Sequence, residues 1–481
     1  MSSTVTNWLA LDKRSLGLFR IAVGVSLILD VATRGLFFRA HYSSQGLFPL
    51  KDYLVQPGVD MRRWSLLFMN DTPLFVGLFF LATLVFSVLF TLGYRTRVTG
   101  WICWALLVSI FRRNPLVVNA GDMYLPLLLF WGNFLPWGER FSVQPRPDEE
   151  PAVRGFPAFC YQIQVCILYW FSAIFRAGPE WQVDYSALYH AMKAERFNTF
   201  LSPWLLTLGT DLLAALTYVT LALELLGPFF LLLPLWRVRA VCVLLIMSFH
   251  FGIMLGINIP IFALIGLVGP IGMLPGPFWE LKWPKKFERW FSDLVSRGAS
   301  GFRLSESSSE PDSPRKVKLE VFYRWLTYPA MALMLFGLYR GVYNPESHSY
   351  VLGLSRVFSL DQRWGMFSPR PPNYADWDTA PATTSSGRKI DLLTGGEYDP
   401  SASTTRFYQK FGNVRWFNLH MILMGEMRGH NQFYLQYLVE RWNDAHPDDP
   451  VLTARYEYHF QTIMPHYLLG ETRTKVYATY P

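Results

Sequence analysis

Residues 216–233 read LTYVTLALELLGPFFLLL, a run in which Glu224 is the one charged side chain. Crossing a bilayer as a helix takes roughly 20 mainly apolar residues. The run meets that length and lacks the alternation of a half-buried strand, so it reads as a membrane helix. Outward from it, comparable runs lie at 15–37, 73–92, 98–113, 122–137, 157–176, 209–234, 238–256, 258–275 and 325–343, which predicts about nine spans. Those at 98–113 and 122–137 are short, and are expected to be tilted, partly re-entrant or buried by neighbours. The run at 258–275 is rich in Gly and Pro, which membrane helices tolerate because surrounding groups satisfy the freed backbone.

Composition agrees: of 481 residues 51% are hydrophobic and 17% charged, where soluble domains carry about 25% charged residues. The apolar runs end near residue 345, and the rest of the chain is polar and aromatic-rich. The expected fold class is therefore an all-α polytopic membrane domain, residues 1–345, followed by a small α+β extracytoplasmic domain, residues 346–481. In the latter, SPRPPNYADWD at 368–378 reads as turn-rich, Thr384–Gly387 as the bend of a hairpin, 414–428 and 431–445 as helices, and 455–462 as a strand.

The formal charge of +8 reflects Lys and Arg gathered in certain short loops, as the positive-inside rule requires, and not a nucleic-acid surface. Lys13, Arg14, Arg95, Arg97, Arg237, Arg239 and the basic stretch 276–324 fall on one side if the N-terminus is cytoplasmic. Nine spans then place the C-terminal domain in the periplasm or outside the cell. Within the basic stretch, WPKKFERWFSDLVSR is amphipathic and is expected to lie along the inner leaflet, with a flexible Ser/Glu/Pro-rich linker at 304–314. The four cysteines, Cys103, Cys160, Cys166 and Cys242, lie in apolar runs with no CxxC spacing, so they read as small buried residues. The first apolar run lacks a cleavage motif and is expected to remain as a membrane helix.

An ionisable residue in a bilayer costs about 2.5–3.5 kcal/mol on insertion scales, so each is paired or functional. Asp30 and Arg34 are four apart on one helix face and read as a structural ion pair, with Arg20 snorkelling or pairing elsewhere. Glu224 is mid-span: a packing role, a partner Arg and proton relay are all open. His250 shares a face with Asn258, and the plainer reading is a hydrogen-bonded core histidine. Asp122 in NAGD reads as a helix cap, with a site role beside it. The densest cluster is 169–190, where a span ends at Arg176 and Glu180, Trp181, Asp184, Tyr185, Tyr189 and His190 come next. Interfacial anchoring explains its aromatics better than Arg176, Glu180 and His190. No His/Cys pair has metal-ligand spacing, so no metal is expected.

Six stretches carry a resemblance: SLGLFRIAVGVSLILD (15–30), NAGD (119–122), YWFSAIFRAGPEWQVDYSALYHAM (169–192), LALELLGPF (221–229), SFHFGIMLGINI (248–259) and LDQRWGMFSPRPP (360–372). In order and spacing the chain resembles the vitamin K-dependent gamma-carboxylase family and its bacterial HTTM (horizontally transferred transmembrane domain) relatives. That resemblance implies a bacterial inner-membrane protein, and a reduced quinone as the cofactor-like substrate. The carboxylase-type members deprotonate the hydroquinone with a lysine, and that position falls on Arg176 here. A guanidinium, with a pKa above about 12, cannot serve as that base but can clamp an anion. The family's assisting histidine falls within NAGD, where Asp122 or a neighbour stands. Both departures count against gamma-carboxylation.

Two functions are expected from this. One is an enzyme-like site for a quinone or lipid at the outer face, with Arg176, Glu224 and His250 as catalytic candidates. Asp122, Glu180, Trp181, Asp184, Tyr185, His190 and Asn258 are its candidate substrate or lipid contacts. The other is a non-catalytic membrane subunit or lipid-binding module whose C-terminal domain binds a protein partner. A transporter is a third reading, without the inverted repeats that would support it.

Overall fold

The computed structural model describes residues 9–54, 64–145, 150–194, 197–299, 314–343, 350–399, 413–424, 430–463 and 470–481. Its helical part comprises α1 (Lys13–Gly35), α2 (Pro73–Leu92), α3 (Thr96–Arg113), α4 (Ala120–Gly132), α5 (Phe156–Phe175), α6 (Thr210–Leu232), α7 (Trp236–Gly256) and α8 (Pro260–Val268). After these come α9 (Lys282–Ala299), α10 (Pro314–Tyr343) and α11 (Tyr350–Val357). Among the described residues six helices are long and apolar enough to cross a membrane: α1, α2, α5, α6, α7 and Val321–Arg340 of α10. The expected spans at 98–113, 122–137 and 258–275 are helical as well, but α4 has 13 residues and Pro260–Met273 is a shorter apolar helix. The linker expected at 304–314 lies almost wholly outside the described residues.

Local chemistry sets the helix ends. The Asp12 carboxylate accepts from Arg14 N–H at 2.8 Å and caps α1. Gly93, at φ +81°, closes α2 in the left-handed conformation that glycine adopts at no steric cost. Asn119 and Asp122 form a reciprocal capping box at α4, as the cap reading of NAGD anticipates.

Burial is arranged for lipid. On α2, Leu74, Leu78, Leu81, Val85 and Val88 are exposed at helical spacing, while Thr83 and Ser87 face inward. In water such a stripe would forgo about 25 cal/mol for each Å² of apolar surface left uncovered; against acyl chains it forgoes little. Small residues let the helices approach, as membrane packing requires: a Cβ on Gly24 would overlap Thr91 of α2. Arg20 is fully buried and donates to the carbonyls of Trp137 (3.1 Å), Arg140 (3.2 Å), Thr91 and Phe141. It thus satisfies one carbonyl in the last turn of α2 and three in the 137–141 loop that follows α4.

The C-terminal part holds β1 (Tyr374–Thr379), β2 (Pro381–Thr384), β3 (Lys389–Asp391), α12 (Val414–Met424), α13 (Asn431–Ala445), β4 (Val451–Thr462) and β5 (Arg473–Tyr480). All pairs are antiparallel, and the long β4 is central, pairing with β1, β2 and β5. The β2–β3 hairpin forms where the sequence places it, with Ala382 opposite Ile390. Two strands differ from expectation. YADWDT is β1, not turn, because its side chains pack against β4 and α12; β5 has no apolar alternation to announce it. Residues 425–428 of the expected first helix lie outside the described residues.

The two parts share buried contacts. Trp364 is fully buried and meets Tyr124 edge-on, with ring centroids 5.6 Å apart. Gln362 and Gln164 exchange amide hydrogen bonds at 2.9 and 3.2 Å. Arg112 of α3 donates to the Ser359 hydroxyl at 2.7 Å and to the Val357 carbonyl at 3.2 Å. Most consequential is Arg415 at the start of α12. It pairs with both carboxylate oxygens of Asp122, at 2.5 and 3.0 Å, and also with Asp30. Arg34 completes the group, 2.9 Å from Asp30 and 2.7 Å from Asp122. All four side chains are buried. Two carboxylates and two guanidiniums cancel, with Tyr42 accepting from Arg34 at 2.6 Å.

Candidate functional site

α5 places Tyr169 and Ser172 three apart on one face, and Arg176, four residues further on, follows directly at its C-terminal cap. Opposite them, α6 brings Glu224. Arg176 forms a buried ion pair with Glu224, and the Ser172 hydroxyl donates to the other Glu224 oxygen at 3.3 Å. The chain then turns through Gly178, whose N–H donates to the Pro369 carbonyl at 2.8 Å. Pro179 starts a short helix that carries Trp181 over Arg176, with the guanidinium carbon 4.2 Å from the ring centroid. The Trp181 indole N–H is fixed to the Phe367 carbonyl at 2.8 Å. Arg176 is held by a carboxylate on one side and an aromatic face on the other.

His250 of α7 is in the same neighbourhood, its Nε2 3.1 Å from the Tyr169 hydroxyl. Phe262 meets its ring edge-on, with centroids 5.5 Å apart, and Gly266 lies so close that a Cβ there would overlap the imidazole. The three catalytic candidates are thus gathered: Arg176 and Glu224 directly, His250 through Tyr169. Tyr169 and Ser172 are not among the sequence candidates, although their spacing to Arg176 is legible.

The remaining candidates divide. Glu180 lies 3.9 Å from Arg370. The Asp184 carboxylate accepts from the Ser186 N–H and hydroxyl at 3.0 and 2.8 Å. Tyr185 packs edge-on against Tyr218. Burial pulls the His190 imidazole below its ordinary pKa, against the opposing pull of nearby Glu180 and Asp184. Asp122 belongs elsewhere, with Asp30, Arg34 and Arg415. The described residues hold no group of three or more His, Cys, Asp or Glu able to bind a metal.

Beside this cluster is a cavity of about 680 Å³ between the helical part and the C-terminal domain. Phe197, Phe262, Phe367, Phe417, Met421 and Ile422 supply apolar wall, with Arg370 and Lys475 among the polar lining. Of its lining residues, Phe262 touches His250, and Phe367 accepts from the Trp181 indole that covers Arg176. Asn258 lines it while nearly fully buried, and its Oδ1 has no hydrogen-bond partner among the described residues. An unsatisfied buried carbonyl costs about 1–3 kcal/mol, so a donor arriving in the cavity would relieve it. No protein-family model, curated protein or solved structure matches the chain.

Proposed function

We propose that this chain is a multi-pass membrane protein that holds an amphipathic small molecule, of quinone or lipid type, in the cavity between its helical and C-terminal parts. The observation that carries the reading is the cavity itself. About 680 Å³ falls within the 300–1,000 Å³ typical of ligand sites, and an aromatic wall with a few placed polar groups is their usual construction. A ligand donor would meet Asn258 Oδ1, and an acidic or carbonyl head would meet Arg370 or Lys475.

The resemblance to the carboxylase and HTTM families favours a quinone as that molecule. The Arg176–Glu224 pair argues against gamma-carboxylation, since a paired guanidinium is neither a base nor a free anion clamp. For topology we favour nine passes, the six long helices joined by α3, α4 and Pro260–Met273. The N-terminus is then cytoplasmic and the C-terminal domain lies beyond the outer face of a bacterial inner membrane. His250, which touches the lining Phe262, and Tyr169, hydrogen-bonded to His250, are the groups that would handle a ligand proton if the bound molecule is also transformed.

Mass spectrometry of small molecules that co-purify with the solubilised protein tests this. The wild type should carry a near-stoichiometric amphiphile, depleted about tenfold in Met421→Trp, where the larger side chain fills the cavity at a cost of about 1.4 kcal/mol or more to binding. An oxidised form of the bound molecule would assign catalysis, and an unaltered one a binding role. Wild-type protein that purifies with the cavity empty would remove the proposal.

A further inference from the structure

The amphipathic helix α9 is not used by the cavity reading and lies apart from it, beside the start of α1. Its side chains divide into three strips. Phe291 packs on Phe141, with centroids 5.4 Å apart, and Glu288 meets Arg14 at 3.3 Å, so this strip faces the protein. Next to it, Trp283, Phe287, Trp290 and Leu294 recur at helical spacing and are exposed, Trp283 by 75% and Trp290 by 58%. Beyond that strip lie Lys282, Lys286 and Arg289, with Asp293 among them.

The acids of this region are already engaged. Arg14 binds Asp12 at 3.0 Å, Glu280 at 2.9 Å and Glu288 at 3.3 Å, and Lys285 adds a second contact to Glu280. Lys282, Lys286 and Arg289 form no ion pair among the described residues, and three cations stand against the single carboxylate of Asp293 on their strip. A large exposed aromatic stripe is costly in water. Flanked by these cations and tied through Arg14 to the start of α1, it suits a surface that is apolar below and anionic above.

We infer that α9 lies in the interfacial layer of the bilayer, with Trp283, Phe287, Trp290 and Leu294 among the acyl chains, and that Lys282, Lys286 and Arg289 recruit anionic lipid headgroups. Arg14 holds the helix in this pose by tying Glu280 and Glu288 to the first span. The occupant is lipid, not a second copy of the chain, because the stripe is bordered by charges complementary to phosphate headgroups and is level with the entry of α1.

The test uses full-length protein in nanodiscs of phosphatidylcholine with phosphatidylglycerol. All four native cysteines are buried, so Leu294→Cys provides one accessible site for an environment-sensitive fluorophore. Nitroxide placed on the acyl chain of either lipid, at equal mole fraction, serves as quencher. The expected result is strong quenching by both, and several-fold stronger by the anionic lipid. Combined Lys282→Gln, Lys286→Gln and Arg289→Gln should abolish that difference and leave the common quenching in place, since a cation near an anionic surface gains about fivefold in local preference. A label reached by aqueous iodide and not by lipid nitroxide would overturn the membrane placement. So would a label shielded from both, which would mean a protein partner or second copy covers the stripe. Equal quenching by the two lipids in the unsubstituted helix would overturn the anionic preference.

Discussion

Arg415→Met should destabilise the folded protein by about 3–5 kcal/mol, the range for removing one partner from a buried ionic group. Arg415 reaches both oxygens of Asp122 and one of Asp30. Without it, Arg34 alone faces two carboxylates in a site that excludes water, and one negative charge is left uncompensated. Because Arg415 belongs to α12 while its partners belong to α1 and α4, the same change should also loosen the C-terminal domain from the helices. Thermal unfolding in detergent would read the first effect, and limited proteolysis between residues 350 and 373 the second. Adding Asp30→Asn restores charge balance while leaving Asp122 free to cap α4, so the double variant should recover much of the loss. If the single variant is as stable as wild type, the quartet does not hold the two parts together.

The second large effect concerns Glu224. Glu224→Gln should also cost about 3–5 kcal/mol, because Arg176 keeps its charge when the carboxylate is gone. Its remaining contact among the described residues, the Trp181 face, supplies only about 0.5–2 kcal/mol. Arg176→Leu with Glu224→Leu removes both charges and leaves apolar groups, so stability should return close to wild type. That pair of experiments separates packing from chemistry. If the double variant folds and still retains the cavity ligand, the ion pair positions the 176–182 turn and does not touch the ligand. Loss of ligand from a stable double variant would instead place the pair within the binding site.

Much of the helical part is legible in the sequence because membrane solvation imposes a coarse rule: nearly every residue from 216 to 233 must be apolar, so the run declares itself. The Asp30–Arg34 pair is legible from a spacing of four, and the NAGD cap from local chemistry. Arg415 is not legible. It stands in VRWFNLHMILM, a segment that reads as an ordinary amphipathic helix, and nothing in a helical period says that one cation will enter a neighbouring membrane bundle. The same blindness applies to Asp122, whose partners Arg34 and Arg415 lie far from it along the chain, one on either side. At the candidate site, the residue types of Arg176, Glu224 and His250 draw attention because each is expensive in a bilayer. Their meeting depends on how α5, α6 and α7 pack, which the sequence does not encode in any short pattern. The cavity is invisible for another reason. Its walls come from several separate stretches of chain, and their aromatic residues are individually unremarked in a chain with 17% aromatic content.

The proposal that a ligand occupies this cavity is tested most directly by electron cryomicroscopy of the full-length protein in nanodiscs made from its native membrane lipids. The expected result is elongated non-protein density within about 4.5 Å of Phe197, Phe262, Phe417 and Met421, with its polar end at Asn258. A cavity holding only water, or closed by side chains of the protein itself, would contradict it.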